Sequence, residues 1–140
     1  MTSSSSRGSV DRPRRLRLSI VAVVVIAAGL LIHLRGAGAL ADRTGDALYA
    51  VMVYVALAIV FPRAGVVVLG TGALTVCALI EVFQLTGLPA LWAQGFWPVR
   101  LVLGVGFDAG DLAAYAVGTG AAAAADLVLS KDRKEKSRSV

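Results

Sequence analysis

The chain has 140 residues, of which 57% are hydrophobic and only 16% charged, and its mean hydropathy is +0.76. Soluble domains carry about 25% charged residues, so neither an ordinary soluble enzyme nor a disordered chain fits this composition. The net charge is +5, but ten of the fourteen Lys and Arg lie in two short tails beside apolar runs, which points to anionic lipid rather than nucleic acid.

In chain order, residues 1–15 are Ser-rich and basic and read as a disordered cytoplasmic tail. Residues 16–34 form the first apolar run, interrupted only by Arg17, Ser19 and His33. A helix of about 20 residues spans the hydrocarbon core, so this is the first transmembrane helix. Ala39-Leu40-Ala41 before Asp42 also resembles a signal-peptide cleavage site. The length of the run and the spans that follow favour a retained helix.

Residues 35–45 read as a Gly-rich polar loop, and 46–61 as the second span, ended by Pro62-Arg63. Residues 64–85 form the third span, with Glu81 and Gln84 near its end. Residues 86–107 contain both Trp and read as an interfacial or re-entrant segment, with Trp92 and Trp97 at headgroup depth. Residues 109–129 form the fourth span, rich in Ala and Gly, and 130–140 a charged cytoplasmic tail. The fold class expected is an all-α polytopic membrane protein with four transmembrane helices around a membrane domain at 16–129.

Four spans place both tails on one side. With the tails inside, eleven Lys and Arg are cytoplasmic, and only Arg35, Arg43 and Arg100 lie outside. The positive-inside rule therefore puts both termini in the cytoplasm of an inner (plasma) membrane protein. Five acidic residues, Asp42, Asp46, Glu81, Asp108 and Asp111, then fall at the outer side. This acidic rim is the main clue to function.

Asp108, Asp111, Tyr115 and Gly118 are spaced 3, 4 and 3, which is one face of a helix. Asp108 also suits a helix N-cap, and Asp111 the favourable end of the helix dipole. Glu81 and Gln84 share a face of the third helix, and Asp46 and Tyr49 repeat that spacing on the second. A carboxylate near a span end is expensive unless paired or hydrated, so it marks either a functional group or a partner for Arg or Tyr. Arg35, Arg43 and Arg100 are the cations available on that side. The ligand-binding candidates are therefore Asp46, Glu81, Gln84, Arg100, Asp108, Asp111 and Tyr115.

The single cysteine, Cys77, has no partner in the chain for a disulfide, a redox pair or a zinc site and reads as core filler. The sequence has no HExxH, P-loop, GxSxG or GxGxxG pattern. No metal, no cofactor and no nucleic-acid partner is expected. The partners expected are the lipid bilayer, a lipid-linked envelope ligand and further copies of the chain.

Gly45-Asp46, the Ile80–Leu85 block with Glu81 and Gln84, Arg100, and Leu103–Gly118 together resemble the small bacterial membrane proteins of the DUF2809 family, over roughly residues 16–128. The resemblance implies a four-helix integral membrane protein with no established reaction. Glu81, Gln84, Arg100, Asp111 and Gly118 more distantly resemble the VanZ-like proteins, although Tyr115 stands where that family tends to have Asn. That likeness implies a glycopeptide-resistance role in the cell envelope. The residues leave four readings: a polar cluster binding an envelope or lipid-linked ligand, an enzyme using Glu81 and Asp111 as acid and base, a transporter, and a structural or assembly protein. The depth of Glu81 disfavours a transporter, and an enzyme is less favoured than a binding or structural protein.

Overall fold

Hydrocarbon offers no partner for backbone N–H and C=O groups, so a crossing segment must satisfy them internally. The chain answers with helices throughout. In a computed structural model, the backbone is described for residues 7–136 and the side chains for residues 14–131. Six helices follow in order: α1 (Arg7–Arg35), α2 (Ala39–Val60), α3 (Val66–Gln84), α4 (Leu88–Gly95), α5 (Pro98–Leu103) and α6 (Ala109–Lys136). Four of them, α1, α2, α3 and α6, are long and apolar enough to cross a membrane.

α2 is the central helix and contacts α1, α3 and α6; α3 also lies against α6. Its buried face is Ala50, Tyr54, Val55 and Ala58. That of α3 is Leu69, Ala73, Cys77, Glu81 and Gln84, a stripe at steps of four and three. The core is made mainly of small side chains with Tyr54, Tyr115 and Leu69 as its large members. Cys77 fits between Ala50 and Tyr115. Close approach of this kind is how helices associate in lipid, where apolar burial gives little advantage. At Gly118 a Cβ would run into the Ala47 backbone carbonyl, so α6 and α2 touch backbone to backbone there.

α1 is peripheral. No residue of its spanning part is buried, and a half-buried stripe of Leu18, Ala22, Val25, Gly29 and Ile32 faces the bundle. Many of the remaining large side chains of the four long helices, such as Val24, Leu79, Val82 and Val117, point outward. Such a surface is correct in lipid and untenable in water.

Several boundaries differ from those expected. α1 starts at Arg7, inside the segment read as a tail, while residues 1–6 lie outside the described residues. α2 starts at Ala39, so the segment read as a loop over 35–45 is mostly helix. Gly38, at φ 84°, makes the turn that the three-residue connection requires. Residues 39–44 then contain only residues that a helix accepts, with Asp42 in the favourable first turn. Residues 101–107 do not continue the last span. α5 stops at Leu103, Gly104 takes φ 65°, and α6 begins at Ala109 and extends to Lys136.

Gly118→Ala should cost about 1–3 kcal/mol through overpacking against α2. Gly120→Ala, with nothing within 4 Å of the added carbon, should be neutral. The thermal aggregation midpoint of the detergent-solubilised protein separates the two; equal midpoints would contradict the contact.

Candidate functional site

Each functional side chain here follows from where a helix starts or stops. Because α2 begins at Ala39, Arg43 and Asp46 fall one turn apart near its start. Glu81 and Gln84 occupy the last turn of α3. Asp108 immediately precedes α6, and Asp111 and Tyr115 fall in its first two turns. All three helix ends meet at one end of the bundle.

Arg43 is the hub. Its Nη2 donates to Asp108 Oδ2 at 2.9 Å, and its Nη1 pairs with Asp111 Oδ1. One planar guanidinium thus bridges two carboxylates, a geometry that lysine cannot reproduce. Asp46 lies against Asp111, with Arg43 and Glu81 nearby. Asp108 also caps α6, its Oδ1 accepting the Gly110 N–H at 2.7 Å. The Gly110 N–H and then the Arg43 guanidinium hold the Asp108 carboxyl below the usual carboxylate range.

Glu81 lies deeper, at 1% exposure. Its Oε1 accepts the Tyr115 hydroxyl at 2.7 Å, and its Oε2 accepts the Asp108 backbone N–H at 3.3 Å. Among the described residues no Lys or Arg pairs with Glu81. The Tyr49 ring lies 6.3 Å from that of Tyr115, tilted by 52°. Gln84 is buried too and donates through Nε2 to the Leu103 carbonyl at 2.7 Å. Its Oε1 has no partner among the described residues. Gly104 makes room for that amide, since a Cβ there would sit 2.5 Å from Nε2.

Of the residues singled out from the sequence, Asp46, Glu81, Asp108, Asp111 and Tyr115 come together, and Gln84 borders them through the 103–108 connection. Arg100 does not join them. It is exposed on α5 and makes no ion pair among the described residues. Arg43 takes the place of the cation. The sequence offered it as one of three; its i, i+3 spacing to Asp46 would have favoured it had the helix been started earlier.

A second polar network, at the opposite end, was not foreseen. Arg14 Nη2 pairs with Asp126 Oδ2 at 3.2 Å, and Tyr54 donates its hydroxyl to the same oxygen at 3.0 Å. Arg14 Nη1 also donates to the Pro62 carbonyl. The network joins α1, α2, the α2–α3 turn and α6. The two side chains of the ion pair are 19% and 11% exposed.

Among the described residues no three His, Cys, Asp or Glu side chains converge as metal ligands do. The first network works by ion pairing and hydrogen bonding. Residues 35–119, more than half of the chain, match the family model described as "Protein of unknown function (DUF2809)". The chain belongs to this family. No curated protein and no solved structure matches it. The DUF2809 segment contains every member of the Arg43 network, whereas Arg14 and Asp126 lie outside it.

Charges are worth more where water is excluded, so Arg43 should couple more strongly to Asp111, 17% exposed, than to Asp108, 54% exposed. Double-mutant cycles on thermal stability with Arg43→Gln, Asp111→Asn and Asp108→Asn check this order; the reverse order would contradict it. A depressed carboxyl contributes stability above its unfolded pKa, about 4, and loses it as pH falls through the lower folded value. Asp108→Asn should therefore flatten part of the stability loss below about pH 4.

Proposed function

We propose that this protein is a plasma-membrane protein with both termini in the cytoplasm, and that its Arg43–carboxylate cluster binds the head group of an amphiphilic envelope ligand on the outer face. Eleven of the fourteen Lys and Arg on the side of the termini support this orientation. The observation that carries the binding reading is a charge imbalance. Asp108, Asp111 and Asp46 gather around Arg43, with Glu81 beyond Asp46, no second Lys or Arg pairs with them among the described residues, and the mouth of the cluster, Asp108, is half exposed. Such a site suits a head group bearing an amine. A shallow, mainly apolar hollow beside the start of α2, lined by Leu31, Ile32, Ala37, Leu40 and Ala41 with Arg35 and Thr44 at its polar side, offers a place for an acyl chain. The VanZ-like pattern makes a glycopeptide or a lipid-linked cell-wall precursor the specific form of this reading.

A second reading is structural. The two hydrogen bonds that Glu81 accepts from within the chain favour it. In that reading the cluster only fastens α2, α3 and α6.

Growth of a deletion strain on glycopeptides and other cell-wall drugs, complemented by wild type or by Glu81→Gln, distinguishes the two. The binding reading expects the deletion to raise sensitivity and only wild type to restore it, at equal membrane accumulation of both forms. Loss of Glu81→Gln from the membrane supports the structural reading. Unchanged sensitivity of the deletion strain across the panel overturns the envelope role.

A further inference from the structure

The connection between the third and fourth spans is unusual in what it exposes. From residue 85 to residue 107 the only charged side chain is Arg100. Leu91 and Trp92 on α4, Phe96 and Trp97 between the two helices, and Val102 on α5 are 48–67% exposed. The two helices have 8 and 6 residues, or about 12 and 9 Å of helical rise, too short to cross a bilayer. They also expose too much aromatic surface to stand in water.

Their depth follows from how they are fastened. α3 has 19 residues, about 28 Å, close to the thickness of the hydrocarbon core. Its last turn therefore stands at the boundary between acyl chains and head groups. α4 is held to that turn. The Trp92 ring lies 5.6 Å from that of Phe83, and Pro89 is fully buried. The far end of the connection is held to the same turn by Gln84 on the Leu103 carbonyl and by Glu81 on the Asp108 N–H. Leu79 and Val82 on the outward side of α3, Leu85 just after it, and Leu88 and Leu91 of α4 are exposed apolar side chains at successive steps of three along the chain.

We infer that α4 and α5 lie in the interfacial layer of the membrane that the long helices span, with Trp92, Phe96 and Trp97 at the upper ends of the acyl chains and Arg100 on the phosphate of an anionic lipid. Trp and Tyr favour this layer because one end of the ring is apolar and the other polar. Arg100 follows Trp97 by three residues, so the two share a face. A guanidinium there reaches a phosphate while its stem stays among apolar groups. The occupant is lipid because the patch is continuous with the lipid-facing side of α3 and carries no acidic group for a basic partner. This assignment removes Arg100 from the carboxylate cluster and gives it a partner. It holds on whichever side of the membrane the connection lies.

Both Trp of the chain are in this segment and its three Tyr are not, so fluorescence of the full-length protein excited beyond the tyrosine absorption band reports on the segment alone. The protein is reconstituted in phosphatidylcholine vesicles brominated either near the carbonyls or near the chain ends. Shallow bromines should quench about twofold more than deep ones, as for a ring at the interface. Single-Trp forms, Trp92→Phe and Trp97→Phe, should both show this order. Adding phosphatidylglycerol should shift the emission of wild type to the blue and leave Arg100→Gln unmoved. Stronger quenching by deep bromines would overturn the proposal in favour of a re-entrant segment. Quenching by aqueous iodide at the rate of free tryptophan, or neither quencher acting, would overturn it in favour of water or a protein cover. An equal phosphatidylglycerol response in Arg100→Gln would overturn the Arg100–phosphate contact.

Discussion

One guanidinium holds an entire end of this molecule together. Arg43 joins the start of α2 to Asp108 in the connection and to Asp111 on α6. Asp108 is at the same time the cap of α6 and, through its N–H, a donor to Glu81 on α3. Glu81 in turn accepts the Tyr115 hydroxyl from α6. The contacts thus run from α2 through the connection to α3 and back to α6. Glu81 and Tyr115 in this series are withdrawn from water, where an unsatisfied polar group costs about 1–3 kcal/mol. Loss of one member is therefore felt by the next.

The series exists only because the backbones come close, and three glycines allow it. Gly118 lets α6 touch the α2 backbone at Ala47. Gly110 lies under the Arg43 guanidinium, where a side chain would occupy the space of the ion pair. Gly104, at φ 65°, both turns the chain after α5 and admits the Gln84 amide. The small residues that gave the sequence its membrane-like composition are, at these positions, what lets long polar side chains pass between helices. Packing and electrostatics are here one problem: a bulkier helix face would separate the charges.

The four spans were legible because the bilayer dictates their length, and no tertiary knowledge is needed to count them. The shared face of Asp108, Asp111 and Tyr115, and that of Glu81 and Gln84, were legible because helical periodicity is a local property. The choice of Arg43 over Arg100 was not. It depends on which helix starts stand side by side, and on α2 beginning at Ala39, within a stretch whose glycines and charges imitate a loop. Arg14 was hidden among four other N-terminal Arg, and nothing local distinguishes it from them. Its partner Asp126 is 112 positions away, and only the return of α6 to the end where α1 starts brings the two together.

The molecule contains two polar networks within one fold, and their contrast bears on what each is for. Arg14 and Asp126 form a one-to-one pair, 19% and 11% exposed, joined by Tyr54 and the Pro62 carbonyl, with Arg14 Nε left without a partner among the described residues. Balanced charge and low exposure are what a fastening requires, because a buried charge without a partner is costly. The Arg43 network departs from both conditions. Its carboxylates outnumber the cation, and Arg43 and Asp108 are 40% and 54% exposed. A helix lock gains nothing from surplus negative charge, since like charges at close range oppose the folded state. A site that receives a cationic group gains directly from it, because the missing positive charge arrives with the ligand. Several ionised carboxylates around one cation are a cost to the folded state that either a proton shared between neighbouring carboxylates or an incoming amine relieves, and the amine-binding proposal rests on the second of these, whereas the Arg14–Asp126 end needs neither.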